Sequence, residues 1–232
     1  MRSSTITRRS FFTAGAALSA VVLAACDAQN NDNQASGQGS SESSTPRPTG
    51  EGVYTRDSDG FHLNSKSQTP TVTLYSDFQC PYCAKADPTY MQVANELDGV
   101  MNVTVKNFPL PMHANAVPAA QAVEAAEIQG KHVEMGEKIF QTQQDWEEKS
   151  QADAVKVYEG YAEELGLDLE KFRTDANSDA VKQIIERDFQ AGRNAGVSGT
   201  PQWVVGGKVV EGVESSTSKD DMISAFKKAA GI

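Results

Sequence analysis

The sequence predicts an α/β fold carrying a block of inserted helices, and three observations lead there. Two β-branched, aromatic stretches, Thr71–Ser76 and 100–108, flank a helical stretch at 81–97. The pattern between Pro109 and Gly199 is helical throughout. The chain then returns to strand character on either side of Gly206-Gly207 and ends on a helix. The order is β-α-β, helices, β-β-α, with no internal repeat.

Each element has a local reason. Thr71-Val72-Thr73-Leu74-Tyr75-Ser76 is rich in residues that favour the pleated backbone. In 81–97, Tyr90, Val93, Ala94 and Leu97 recur at helical spacing and share one face. A strand–helix–strand unit implies parallel pairing of its two strands. Residues 114–128 are Ala-rich and stop before Gly130. Ala154, Val157, Tyr158, Tyr161 and Leu165 form a stripe closed by Gly166, which suits the left-handed position after a helix. Val181, Ile184, Ile185, Asp188 and Phe189 mark another helix. Gly206-Gly207 between Gln202–Val205 and 208–213 is a hairpin signal. Ser218 with Asp221 resembles a capping box ahead of the stripe Met222, Ala225, Phe226 and Ala229.

Composition narrows the function classes. The 232 residues include 21 Lys+Arg and 31 Asp+Glu, a formal charge of −10. That balance argues against nucleic-acid partners, which need clustered basic residues. At 39% hydrophobic residues the chain can fill a core. Three cysteines are too few for a disulfide scaffold.

Residues 1–25 read as an address. Arg2, Arg8 and Arg9 precede an apolar run at 11–25, shorter than the roughly 20 apolar residues a spanning helix needs. Leu23-Ala24-Ala25-Cys26 resembles the bacterial lipobox, which implies a lipid on Cys26 at the new N-terminus. Thr7-Arg8-Arg9-Ser10-Phe11-Phe12 resembles a twin-arginine export signal. Removing 1–25 takes away three Arg and no acidic residue, moving the balance from −10 to −13. Attachment to a membrane would then rest on acyl chains, not on charge. Residues 27–52 contain no Val, Ile, Leu, Met, Phe, Trp or Tyr, so a disordered tether is expected at 26–52. A flexible chain of that length spans roughly 25–30 Å. The globular part is expected at 53–232, with the helical insertion at about 110–198.

The chemistry concentrates at Cys80-Pro81-Tyr82-Cys83, where a strand meets a helix. Cys80 falls at the helix N-terminus, whose free N–H groups and dipole favour a thiolate. Pro81 suits the first helical position, where no N–H is required. Cys83 lies inside the first turn and should be more shielded. Two other readings of the pair are half a zinc site and a purely structural disulfide. Zinc wants four ligands, whereas His62, His113 and His132 are isolated in sequence and no second C-x-x-C exists. A disulfide across so small a loop would contribute little stability. Asn102-Val103-Thr104 matches a glycosylation sequon but falls in a predicted strand. Glu134, Glu137, Glu147, Glu148, Lys85 and Lys219 are expected on solvated faces.

Together with this pair, the helical insertion and Val197-Ser198-Gly199-Thr200-Pro201, the segment Ser76-Asp77-Phe78-Gln79 makes 53–232 resemble the thioredoxin superfamily, and within it the DsbA-like branch. The resemblance implies a thioredoxin fold with an inserted helical subdomain and a protein thiol–disulfide oxidoreductase. It implies Cys80 and Cys83 as the catalytic pair, tuned by Pro81 and Tyr82, with no cofactor beyond the redox-active disulfide and no metal. It also implies that Pro201 is cis beside the thiols, with the Thr200 backbone free to pair with an extended substrate peptide. Pro88 matches the kinking proline common in such helices. The sequence departs from the family in two places. Leu74 occupies the position of the buried acid six residues before the first Cys, and Asp77 is expected as a solvated turn residue. Tyr82 replaces the His of the strongest oxidases and offers only a neutral hydroxyl. The expected partners are cysteine-containing exported proteins and a membrane redox protein that recharges the pair. Oxidation is the expected direction outside the cytoplasm, with a reductase in an envelope thiol pathway or a non-catalytic peptide-binding lipoprotein as the alternatives. A monomer is expected, since 27–52 cannot build a dimerisation domain.

Overall fold

The computed structural model describes residues 54–66 and 70–232. The expected signal segment, the tether and Cys26 lie outside the described residues. Strands β1 (Thr55–Asp57), β2 (Gly60–His62), β3 (Thr71–Ser76), β4 (Asn102–Asn107), β5 (Gln202–Val205) and β6 (Lys208–Val209) form one sheet in the order β1-β2-β4-β3-β5-β6. Helix α1 (Pro81–Glu96) crosses from β3 to β4, which pair in parallel with Val72 opposite Val103 and Ser76 opposite Asn107. The other pairings are antiparallel.

Between β4 and β5 come α2 (Ala116–Glu127), α3 (His132–Gln141), α4 (Gln143–Trp146), α5 (Gln151–Glu164), α6 (Leu169–Ala176) and α7 (Asp179–Asn194), and α8 (Lys219–Ala230) closes the chain. Caps set several of these starts. Ser150, Asp168, Ser178 and Ser218 each accept an N–H from the residue three positions on. Gly166 holds the expected left-handed backbone after its helix, Gly130 does the same after α2, and Gly206-Gly207 make the tight β5–β6 turn with both φ positive.

The core has distinct clusters. On one side of the sheet, Tyr90, Val93 and Leu97 of α1 and Met222 and Phe226 of α8 pack on Val72, Leu74, Val103 and Trp203. Tyr75, Phe108 and Val204 meet Phe189 and Ala191 of α7 in a second cluster. The inserted helices bury their own core, including Trp146, Tyr158, Phe172 and Ile139, and it reaches Phe78 in the loop after β3. Gly192 of α7 permits the close approach to the sheet. A Cβ there would lie 2.6 Å from the Phe108 ring and 2.8 Å from that of Tyr75.

The hairpin β1–β2 was not foreseen. Gly60 sits at φ 129, and a Cβ would meet the Val105 carbonyl oxygen at 2.8 Å, so only glycine lets this edge lie on β4. Arg56 ties the hairpin down from β1. Its Nη2 lies 2.6 Å from Asp188 of α7 and 3.0 Å from Glu124 of α2, both buried. Asn107 adds its Nδ2 to Glu124 at 2.6 Å. Burial pushes the Glu124 carboxyl above its ordinary value, against the pull of Arg56 and Asn107. The sequon Asn102-Val103-Thr104 is buried within β4.

Candidate active site

Cys80 is the N-cap of α1, with extended backbone at φ −76, ψ 119, and Pro81 opens the first turn. Both thiols are free and buried, beneath exposed Pro81 and Tyr82, the latter 63% exposed. The Thr200-Pro201 peptide is cis, as the resemblance implied. It brings the Thr200 carbonyl oxygen to 3.3 Å from Cys80 Sγ, which donates to it as a thiol. The Thr200 hydroxyl is buried and finds no partner among the described residues. It is the donor available once Cys80 ionises.

The two sulfurs are chemically unequal. Hydrogen bonding from the Cys83 thiol is the largest influence on Cys80, and its pKa falls to about 6 despite burial. Thr200 and the N–H groups of Cys83 and Tyr82 at the helix start add to the lowering. Burial pushes Cys83 the other way, well above its ordinary value, and the neighbouring Cys80 adds to the rise. The Asp77 N–H, 3.5 Å from Cys83 Sγ, and the Ser76 hydroxyl oppose that rise without overcoming it. One sulfur is therefore an accessible-pKa nucleophile and the other a protonated reserve.

Polar side chains from the insertion hold this loop. Gln143 donates to the carbonyls of Phe78 and Cys80 at 2.8 and 3.2 Å. Gln79 donates to the Glu147 carbonyl at 2.8 Å and accepts the Asn115 N–H at 2.6 Å. The Asn115 amide in turn donates to the carbonyls of Trp146, Glu147 and Lys149. Gln143 and Asn115 were not singled out from sequence, and Gln79 only as part of the segment that carries the resemblance.

Asp77 corrects an expectation. It is not a solvated turn residue but 1% exposed. Its carboxylate accepts the N–H of Gln79 at 2.7 Å and of Leu110 at 2.8 Å, and meets His113 Nδ1 at 2.6 Å. His113 is thus not isolated in space. His62 pairs with Asp57, and His132 stacks on Phe61. An Asp three residues before a helix cap is a turn former through its own backbone, and Pro109 and Pro111 restrict the loop that carries His113, but no local signal joins the two.

The fold and the paired thiols on a helix N-terminus define the class of thioredoxin-like proteins. The chain belongs to the Thioredoxin family, whose model matches residues 60–225. The solved thioredoxin-like oxidoreductase of Silicibacter pomeroyi is 22% identical with a TM-score of 0.57, over 70% of this chain and 87% of that one. The oxidoreductase DsbA of Xylella fastidiosa is 16% identical with a TM-score of 0.57, over 80% and 97%. These likenesses bear out the DsbA-like fold. Among curated proteins, the Na(+)/H(+) antiporter NhaA 3 of Salinispora tropica is 35% identical over 154 residues, 66% of this chain and 22% of that protein. The chain spans less than a quarter of the length of the first curated relatives it matches.

Proposed function

We propose that this protein is an extracytoplasmic thiol–disulfide oxidoreductase, anchored through Cys26, that oxidises cysteines of exported proteins. The observation that carries the reading is the inequality of the pair, with Cys80 lowered to about 6 and Cys83 raised. In the oxidising direction a substrate thiolate attacks Cys80 Sγ of the disulfide, and Cys83 leaves with the electron pair. A second substrate thiol then attacks the mixed disulfide, releasing an oxidised substrate and reduced Cys80. A membrane oxidase would restore the disulfide. Thr200 and Pro201 would seat an extended substrate beside Cys80 by backbone pairing. The longer relatives are named as Na(+)/H(+) antiporters, and nothing in the thiol site bears on cation–proton exchange. Among the described residues no helix is long and apolar enough to cross a membrane.

The test is capture of clients. Cys83→Ala should accumulate mixed disulfides through Cys80 with exported proteins, and Cys80→Ala should trap none. A Cys83→Ala protein that traps no client would favour a peptide-binding module that only retains the fold. Tyr82 offers the thiolate no charge, so the reduction potential should be less oxidising than the strongest oxidases; a value near about −120 mV would contradict this. Cys26→Ser should release the protein from membranes, and retention would count against the lipid anchor.

A further inference from the structure

Asp77 joins two things that the thiol chemistry alone does not connect. Its main chain belongs to the active loop: the carbonyl accepts the Cys80 N–H at 3.0 Å, and the N–H points at Cys83 Sγ from 3.5 Å. Its side chain belongs to the loop before α2, where Leu110 N and His113 Nδ1 converge on one carboxylate oxygen. The other oxygen takes the Gln79 N–H. Every contact of the side chain therefore fixes the peptide whose N–H faces Cys83. The Asp77 side chain is fully buried, whereas the His113 side chain is 21% exposed.

Cys83 needs that N–H at one moment. When Cys80 is joined to another sulfur, R–S–S–Cys80, resolution requires Cys83 to lose its proton and attack Cys80 Sγ. The Cys80–Cys83 bond forms, the Cys80–S–R bond breaks, and R–S⁻ leaves with the electron pair and takes up a proton. In the reverse direction a thiolate R–S⁻ attacks Cys80, and Cys83 is the leaving thiolate. Negative charge develops on Cys83 in both directions, in a site whose burial opposes it. A main-chain donor held in place stabilises that charge without needing to move.

We infer that His113 is a positioning residue for the resolving thiol, acting through the Asp77 carboxylate to aim the Asp77 N–H at Cys83. The inference rests on the exchange reading above and adds a residue thirty positions beyond Cys83 in sequence to its machinery. Asp77 also takes the place left open by Leu74, through a backbone donor and not as a proton acceptor.

Stopped-flow mixing of the reduced protein with oxidised glutathione, acid-quenched and followed by mass, separates two phases. The first is formation of the Cys80–glutathione disulfide, and the second is its resolution by Cys83. His113→Phe keeps the ring's bulk and removes the donor. It should slow the second phase by about tenfold, the worth of one hydrogen bond, and change the first by less than about twofold. His113→Asn restores a donor near the Nδ1 position and should recover resolution to within about threefold of the original. Equal second phases in His113→Phe and the unaltered protein would overturn the inference. So would His113→Asn as slow as His113→Phe, because a restored donor would then have no effect. Should His113→Phe fail to fold, Asp77→Asn decides: slowed resolution supports the inference and unchanged resolution overturns it. Failure of the unaltered protein to form either the Cys80–glutathione adduct or the Cys80–Cys83 disulfide would instead overturn the exchange reading, and this inference with it.

Discussion

Around the Cys80 loop, beside the Asp77–His113 contact, the insertion is tied to the sheet side by neutral groups: the side-chain amides of Gln79 and Gln143, bonded to main-chain partners across the two. At the N-terminal hairpin the tie is ionic, with Arg56 of β1 set against Glu124 of α2 and Asp188 of α7. The contrast has a physical sense. The main causes of the Cys80 shift are hydrogen bonds, not a charged side chain. Neutral donors of this kind hold their geometry whichever charge state the thiol adopts. The hairpin carries no such chemistry, and a buried cation can pin it through charge.

The sharpest way to break this contrast is Arg56→Met. Removing the cation leaves two buried carboxyl groups without compensation, and the loss should be about 3–5 kcal/mol in urea unfolding at neutral pH. Adding Glu124→Gln and Asp188→Asn should recover part of that loss; no recovery would mean the cluster is not held by charge. A pH series sharpens the point. Glu124 is raised in the fold, so its contribution is full below the ordinary carboxylate range. That contribution is lost as pH rises through the folded value, because the folded chain then gives up a proton the unfolded chain had already released. The Arg56→Met defect should therefore shrink toward acid.

Gly192 lies one turn beyond Asp188 on α7 and tests the same contact without charge. Gly192→Ala drives a Cβ into the rings of Phe108 and Tyr75 and should cost about 1–3 kcal/mol by thermal unfolding. The neutral seam should yield least. Asn115→Ala removes a donor shared by three carbonyls and should cost about 1–2 kcal/mol. If Asn115→Ala proved as damaging as Arg56→Met, the two seams would not differ in kind.

Much of this was legible in the sequence. The strand Thr71–Ser76, the Gly206-Gly207 hairpin and the Ser218 cap follow from local rules, and the structure holds all three. So does the thiol pair at a helix start, whereas the cis proline beside it was implied by the family resemblance. What escaped was non-local. The hairpin β1–β2 is only three residues per strand, too short for a periodic signal, and exists because Gly60 lets it approach β4. Asp188 fell within an apolar stripe, but its partner Arg56 lies 132 residues away. Asp77 read as a turn residue because its partners, Leu110 and His113, come from another loop. Burial of a polar group depends on what the fold brings to it, and spacing along one segment cannot supply that.

One fold makes the two cysteines unequal, and pH-resolved alkylation of the reduced protein with peptide mapping measures that inequality directly. Modification of Cys80 should rise through a midpoint near pH 6, since the thiolate is the reacting form, and level off above it. Cys83 should stay unmodified across the same range while the protein remains folded. Two thiols titrating together at the ordinary cysteine value, or Cys83 reacting first, would contradict the account.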